Sequence, residues 1–117
     1  MVIVTVDNDN LIVNVKGLGK FLALKSKLVI PLANIKGVTA DPGAFDMPKG
    51  LRAPGTAIPG IVYAGTFYHE GDKAFWDVHN RANTIVIELA NEEFNRLVIE
   101  VKSVEETVKL IEENINR

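Results

Sequence analysis

The chain has 117 residues, of which 47% are hydrophobic and 24% are charged, and it contains no cysteine. This length predicts one domain over residues 1–117, and the apolar content excludes an intrinsically disordered chain. Because no disulfide can form, an apolar core must hold the fold together. No apolar run is long enough to span a membrane, and the N-terminus lacks the basic start of a signal peptide, so we expect a cytoplasmic protein.

The formal charge is −2, but it is distributed unevenly. Residues 1–60 carry seven basic and four acidic groups, whereas residues 61–117 carry six basic and eleven acidic groups. Neither half has the clustered Lys and Arg that phosphate neutralisation requires, so we expect no nucleic-acid partner. The asymmetry would suit head-to-tail association of like chains, although scattered surface charge explains it more simply.

The chain begins with a predicted β-hairpin. Valine and leucine alternate with other residues, Ile3 and Ile12 among them, over 2–6 and 11–16, around the turn-forming sequence Asp7-Asn8-Asp9-Asn10. Such a turn pairs Val6 with Leu11 and places the valine and leucine side chains of both strands on one face. A short amphipathic helix over 18–26, a strand over 28–30 and another strand over 36–40 are predicted to follow.

The segment 41–60 differs from its surroundings because it holds four of the five prolines. A loop longer than about 12–15 residues is uncommon in a compact domain and is usually functional or disordered. This one also carries several apolar side chains, so we expect it to be ordered and packed against another part of the protein.

Two further hairpins are predicted after this loop. Strands over 61–69 and 73–78 flank a turn at Glu70-Gly71-Asp72, which places Thr66 opposite Trp76 and makes both faces of the hairpin apolar. Strands over 84–90 and 97–102 form a hairpin with one solvent-exposed face, on which Glu88 and Glu100 lie. A helix then begins at Ser103, its predicted N-cap, and carries one apolar stripe of Val104, Val108, Ile111 and Ile115.

These elements predict a mainly β protein (α+β by content). The expected architecture is a bent antiparallel barrel or two-sheet sandwich of about seven strands, capped by a C-terminal helix. This order of elements resembles the pleckstrin-homology (PH) superfold. The passages 28–38, 52–60, 64–67 and 75–78 resemble those of a small, uncharacterised group of bacterial PH-domain-like proteins.

The resemblance implies a non-catalytic domain that self-associates. Eukaryotic PH domains bind inositol phosphates through basic residues of the first two strands and their loop. The corresponding loop here is Asp7-Asn8-Asp9-Asn10, which is acidic, and Lys16 lies at the far end of its strand. We therefore expect neither phosphoinositide nor membrane binding.

The residues that could carry chemistry do not form a recognisable motif. His69, Asp72, Asp77 and His79 have suitable side chains for a metal, but the hairpin separates the two histidines by roughly 20 Å. There is no cysteine or Gly-x-Ser-x-Gly sequence, and no carboxylate pair is singled out. We expect no metal, no cofactor and no catalytic residue.

Two functional hypotheses follow. The first is a non-enzymatic interaction or scaffold module, a homo-oligomer that also binds a protein or peptide, with Phe45, Arg52, Phe67 and Trp76 at its interface. The second is a small-ligand-binding protein or enzyme whose pocket lies between the 41–60 loop and the 61–78 hairpin. The apolar hairpin needs a cover, which either the chain's own loop or a second copy could supply.

Overall fold

The computed structural model describes residues 1–17, 26–46, 51–58 and 61–116. The helix predicted over 18–26 therefore lies almost entirely outside the described residues. The described residues form nine strands and one α-helix: β1 Val2–Asp7, β2 Asn10–Val15, β3 Lys27–Pro31, β4 Ile35–Ala40, β5 Leu51–Ile58, β6 Val62–His69, β7 Asp72–Val78, β8 Thr84–Leu89, β9 Arg96–Glu100 and α1 Val104–Ile115. Short 3-10 turns occupy Leu32–Asn34, Pro42–Asp46 and Arg81–Asn83.

The strands form two sheets that pack face to face. One sheet has the order β1-β2-β3, and the other has the order β4-β8-β9-β7-β6-β5. A parallel bridge between Val2 and Val101 joins the sheets at one corner. The arrangement is a sandwich, and the sheets do not close into a barrel in the described part of the chain.

The register predicted for the first hairpin is confirmed. Val6 pairs with Leu11, Val4 with Val13 and Val2 with Val15. Asn8 has a φ of 57°, a left-handed conformation that asparagine tolerates better than most residues do. Because the turn fixes the register, Leu11, Val13 and Val15 all enter the core.

The prediction that 41–60 is one long loop is wrong. Its first part is a 3-10 turn, and residues 51–58 form strand β5, antiparallel to β6. The strand accommodates Pro54 because β5 is an edge strand and its register shifts between Arg52 and Gly55. Proline, which has no N–H to donate, is tolerated at edges and at such irregularities.

The register predicted for the β6–β7 hairpin is wrong by one residue. The observed loop is Glu70-Gly71 and not a three-residue turn, because His69 pairs directly with Asp72. Glu70 and Gly71 both have positive φ, as a two-residue type I′ loop requires. As a result Trp76 lies opposite Gly65, and Phe67 and Trp76 share one face of the sheet.

Strand β9 pairs with both β8 and β7. Its pairing with β8 is antiparallel, with Ile87 opposite Leu97, while its pairing with β7 is parallel. The prediction of a solvent-exposed face on this hairpin is also wrong. Val86, Val98 and Glu100 are all buried on that face.

The main core lies between the two sheets and under α1. It contains Val2, Leu11, Val13, Val15 and Ile30 from the smaller sheet and Phe75, Ile85, Ile87, Leu97 and Ile99 from the larger one. Helix α1 completes it with Ile111, which is fully buried, while the other members of the predicted stripe are half-buried.

The Ser103 side chain accepts a hydrogen bond from the Glu106 amide at 3.3 Å, which confirms the predicted N-cap. The structure therefore confirms the mainly β class and the C-terminal helix. In the described ranges there are nine strands where about seven were expected. No helix among the described residues is both long and apolar enough to cross a membrane.

Candidate functional site

The six-stranded sheet has a second apolar face, directed away from the main core. We call it the outer face; its apolar members are Tyr63, Phe67, Ala74, Trp76, Val78, Val86 and Val98. Three aromatic rings pack edge to face on it. The centroid distances are 6.5 Å between Tyr63 and Phe67, and 6.0 Å from Trp76 to each of the other two rings. These contacts hold Trp76 in one orientation.

A 3-10 turn of the same chain covers part of the outer face. The turn Pro42–Asp46 contributes Ala44, which is fully buried in the same apolar cluster. The amide of Asp41 donates to the Thr84 carbonyl at 3.0 Å, and the amide of Ala44 donates to the Asp41 carbonyl at 3.1 Å. These bonds attach the turn to β8, so the chain supplies at least part of the cover that its apolar hairpin needs.

Next to this turn, the outer face is open and forms a cavity of about 360 Å³. Its floor is apolar and its rim is polar. Ala44, Ala74, Trp76, Val86 and Val98 form the floor. Asp41, His69, Asp72, Glu88 and Arg96 form the rim. Such a combination, in which a few polar groups surround an apolar base, is typical of small-molecule sites.

The sheet register brings the charged groups of the rim together. Arg96 lies between β7 and β8, opposite Ala74 on one side and Glu88 on the other. Its guanidinium Nη2 donates to the Asp72 carboxylate at 2.5 Å. Its Nε is buried and has no hydrogen-bond partner. The guanidinium is thus committed to one carboxylate and carries one unsatisfied donor, which is costly when shielded from water.

Of the four residues considered for a metal site, three are divided between the two faces of the sheet, and His79 lies just after the end of β7. His69 and Asp72 are direct cross-strand neighbours on the cavity rim. Asp77 belongs to the opposite face of β7, where its carboxylate pairs with the amino group of Met1 at 3.1 Å. No group of three or more potential metal ligands occurs among the described residues.

Asp77 is one of the buried charged groups of the sandwich, being 3% exposed. Burial raises the pKa of its carboxyl, and the positive Met1 amino group opposes this shift only in part. Glu100, also buried, accepts hydrogen bonds from the amides of His79 and Asn80 at 2.8 and 2.9 Å. These contacts organise the turn that follows β7, and they lie apart from the cavity lining.

The four predicted interface residues have different positions. Phe67 and Trp76 are 3% and 4% exposed, so their side chains are covered within the chain. The backbone of Phe45 belongs to the 3-10 turn and that of Arg52 lies opposite Phe67, but both side chains lie outside the described residues. Contact of these four residues with a second copy stays a prediction.

Sequence reasoning missed Glu88 and Arg96 as members of a site. Glu88 was assigned to a solvent-exposed face, and Arg96 precedes the strand predicted over 97–102. The parity of β8 already placed Glu88 on the same face as Val86, which was a usable signal. The parallel pairing that brings Arg96 beside Ala74 joins distant segments, and no local pattern indicates it.

Comparison of this chain with models of known protein families, with curated proteins and with solved structures finds no match.

Proposed function

We propose that the protein is a non-enzymatic binding module whose cavity on the outer face takes a small ligand. The observation that carries this proposal is the pairing of an apolar floor, which includes Trp76, with a rim of charged side chains. The cavity lies beside the 41–46 turn and is lined by residues of β7, β8 and β9, together with His69 of β6. The described residues of its lining include no hydroxyl or thiol nucleophile, which favours binding over catalysis.

The test uses the protein's one tryptophan as its probe. Trp76 lines the cavity, so a bound fragment should shift the NMR signal of its indole N–H. We expect hits from a library of single-ring fragments, and we expect Ala74→Leu, which fills the floor, to abolish them. Ala33→Leu, at an exposed position on another turn, is the matched control. A screen in which no fragment moves the Trp76 signal would overturn the proposal.

We propose self-association, the first of the two sequence hypotheses, as a second candidate. The observation that favours it is the edge of the larger sheet. Strand β5 has no strand partner on its outer side in the described ranges, and Ile58 and Ile61 at its end are 46% and 54% exposed. Unpaired edges with exposed apolar groups are common sites of pairing between chains.

Light scattering over a range of concentrations tests this candidate. If β5 mediates assembly, Ile58→Lys and Arg52→Ala should lower the measured mass, while Ile3→Lys should not. Ile3 is a fair control because it is 48% exposed on the smaller sheet. A wild-type chain that is monomeric at high concentration would refute self-association and leave the cavity proposal standing.

We also propose a cytoplasmic location, which the absence of cysteine supports. A distant relationship to bacterial PH-domain-like proteins stays a proposal. The C-terminal helix on a β-sandwich supports it, whereas the parallel β7–β9 pair departs from a seven-stranded antiparallel chain. An experimental structure that reproduces the parallel pair would count against the relationship.

A further inference from the structure

We propose that the ligand of the outer-face cavity is a small organic cation, an ammonium group carried on a short apolar body. This inference rests on the proposed function and adds the chemical class of the ligand. Three features carry it: the charge balance of the rim, the pairing of its guanidinium and the composition of its floor.

The rim carries more negative than positive charge. Among the described residues of the rim, Asp41, Asp72 and Glu88 contribute carboxylates, Arg96 contributes a guanidinium, and the fifth residue is a histidine. Arg96 is paired with Asp72. In the described part of the chain, neither Asp41 nor Glu88 forms an ion pair. Two uncompensated carboxylates at the mouth of a concave site attract cations and repel anions.

The guanidinium is poorly placed to bind an anion. Its Nη2 already donates to Asp72, and its Nε is shielded from solvent. An anionic ligand would have to displace Asp72 and would then lie near Asp41 and Glu88. A cation needs no such rearrangement, because Glu88 can accept from it while the Arg96–Asp72 pair stays intact.

The floor of the cavity determines the polarity and size of the uncharged part of the ligand. Trp76, Val86 and Val98 offer apolar surface, so the cation should have an apolar body. The volume of about 360 Å³ is near the lower end for ligand pockets, which favours a body no larger than one ring.

The experiment compares three probes that share one apolar ring and differ in charge: benzylammonium, benzyl alcohol and benzoate. Each is titrated at neutral pH and low salt while the Trp76 indole signal is followed. We expect benzylammonium to bind about fivefold more tightly than benzyl alcohol, the ratio that one favourable exposed ion pair provides. Benzoate should bind most weakly. Added salt should reduce the preference for the cation.

Variants locate the source of the preference. Glu88→Gln should weaken benzylammonium binding, the double change Asp41→Asn with Glu88→Gln should bring it to the level of benzyl alcohol, and both should leave benzyl alcohol binding unchanged. Glu105→Gln, an exposed change at the start of α1, is the matched control and should alter neither.

Each remaining outcome decides between the two proposals. Equal binding of the three probes, tighter binding of benzoate, or an unchanged cation preference in the double change Asp41→Asn with Glu88→Gln overturns the cation inference while the cavity remains a binding site. If none of the probes and no library fragment moves the Trp76 signal, the proposed function itself fails.

Discussion

Replacing Ile111 by alanine is the sharpest test of how helix α1 stabilises the sandwich. Ile111 is fully buried, and it is the point at which α1 enters the main core. The change removes three side-chain carbons, a loss of about 2.4 kcal/mol at roughly 0.8 kcal/mol per buried methylene. A partly relaxed cavity adds about 1 kcal/mol. We therefore expect the free energy of unfolding to fall by about 3.5 kcal/mol and Tm by roughly 10–15 °C.

The assay is urea unfolding followed by circular dichroism, with thermal melting as a second measurement. Val108→Ala is the matched control, because Val108 belongs to the same stripe of α1 but is half-buried. It should cost about 1 kcal/mol or less. If Ile111→Ala lowers the free energy of unfolding no more than Val108→Ala does, Ile111 does not anchor the helix in the main core.

Three further predictions concern the helix cap, a buried acid and the first turn. Ser103→Ala should lower the free energy of unfolding by about 1 kcal/mol, because the hydrogen bond from the Glu106 amide is lost, and Ser103→Asp should restore the stability. Equal melting temperatures of wild type and Ser103→Ala would contradict this prediction. Asp77 has a raised pKa in the folded state, so the stability it contributes is present below the ordinary value of 3.8 and is lost as pH rises through the raised pKa. Wild type should therefore lose stability relative to Asp77→Asn between pH 3.5 and pH 7, and a constant difference in urea midpoints would refute the burial argument. Because the exposed β1–β2 turn is acidic, we expect the protein to stay in the supernatant when it is sedimented with anionic phosphoinositide vesicles. Salt-sensitive binding to the vesicles that is lost in Lys16→Ala would contradict this expectation.

The sequence predicted those parts of the fold that depend on local chemistry. The first hairpin was predicted in its correct register because Asp7-Asn8-Asp9-Asn10 marks the turn and alternation marks the faces. The terminal helix was predicted because its N-cap, Ser103, and its apolar stripe are also local features of the sequence. At the β6–β7 hairpin, assigning one residue too many to the turn moved Phe67 and Trp76 onto opposite faces, since side chains alternate along a strand.

The cavity depended on information that no short window contains. Proline and glycine within 51–58 predict a loop, yet the edge position and shifted register of strand β5 allow both residues. The rim combines Asp41, Asp72, Glu88 and Arg96, which belong to four separate segments. The functional pocket between the 41–60 loop and the 61–78 hairpin stays a prediction, and the polar groups of the observed cavity could be assigned only once the pairing of β9 was known.

The position of β9 also constrains how the protein can fold. In the larger sheet β9 lies between β8 and β7, so β4 and β8 are joined to the β5–β6–β7 half only through it. The central strand of this sheet is thus the last of its strands to leave the ribosome. Until residues 96–100 are available, two partial sheets expose the apolar edges that β9 will pair, and their association must wait for a parallel, non-local pairing, which is intrinsically slow. Nascent chains that stop short of residue 96 should therefore be prone to aggregate and should depend on chaperones.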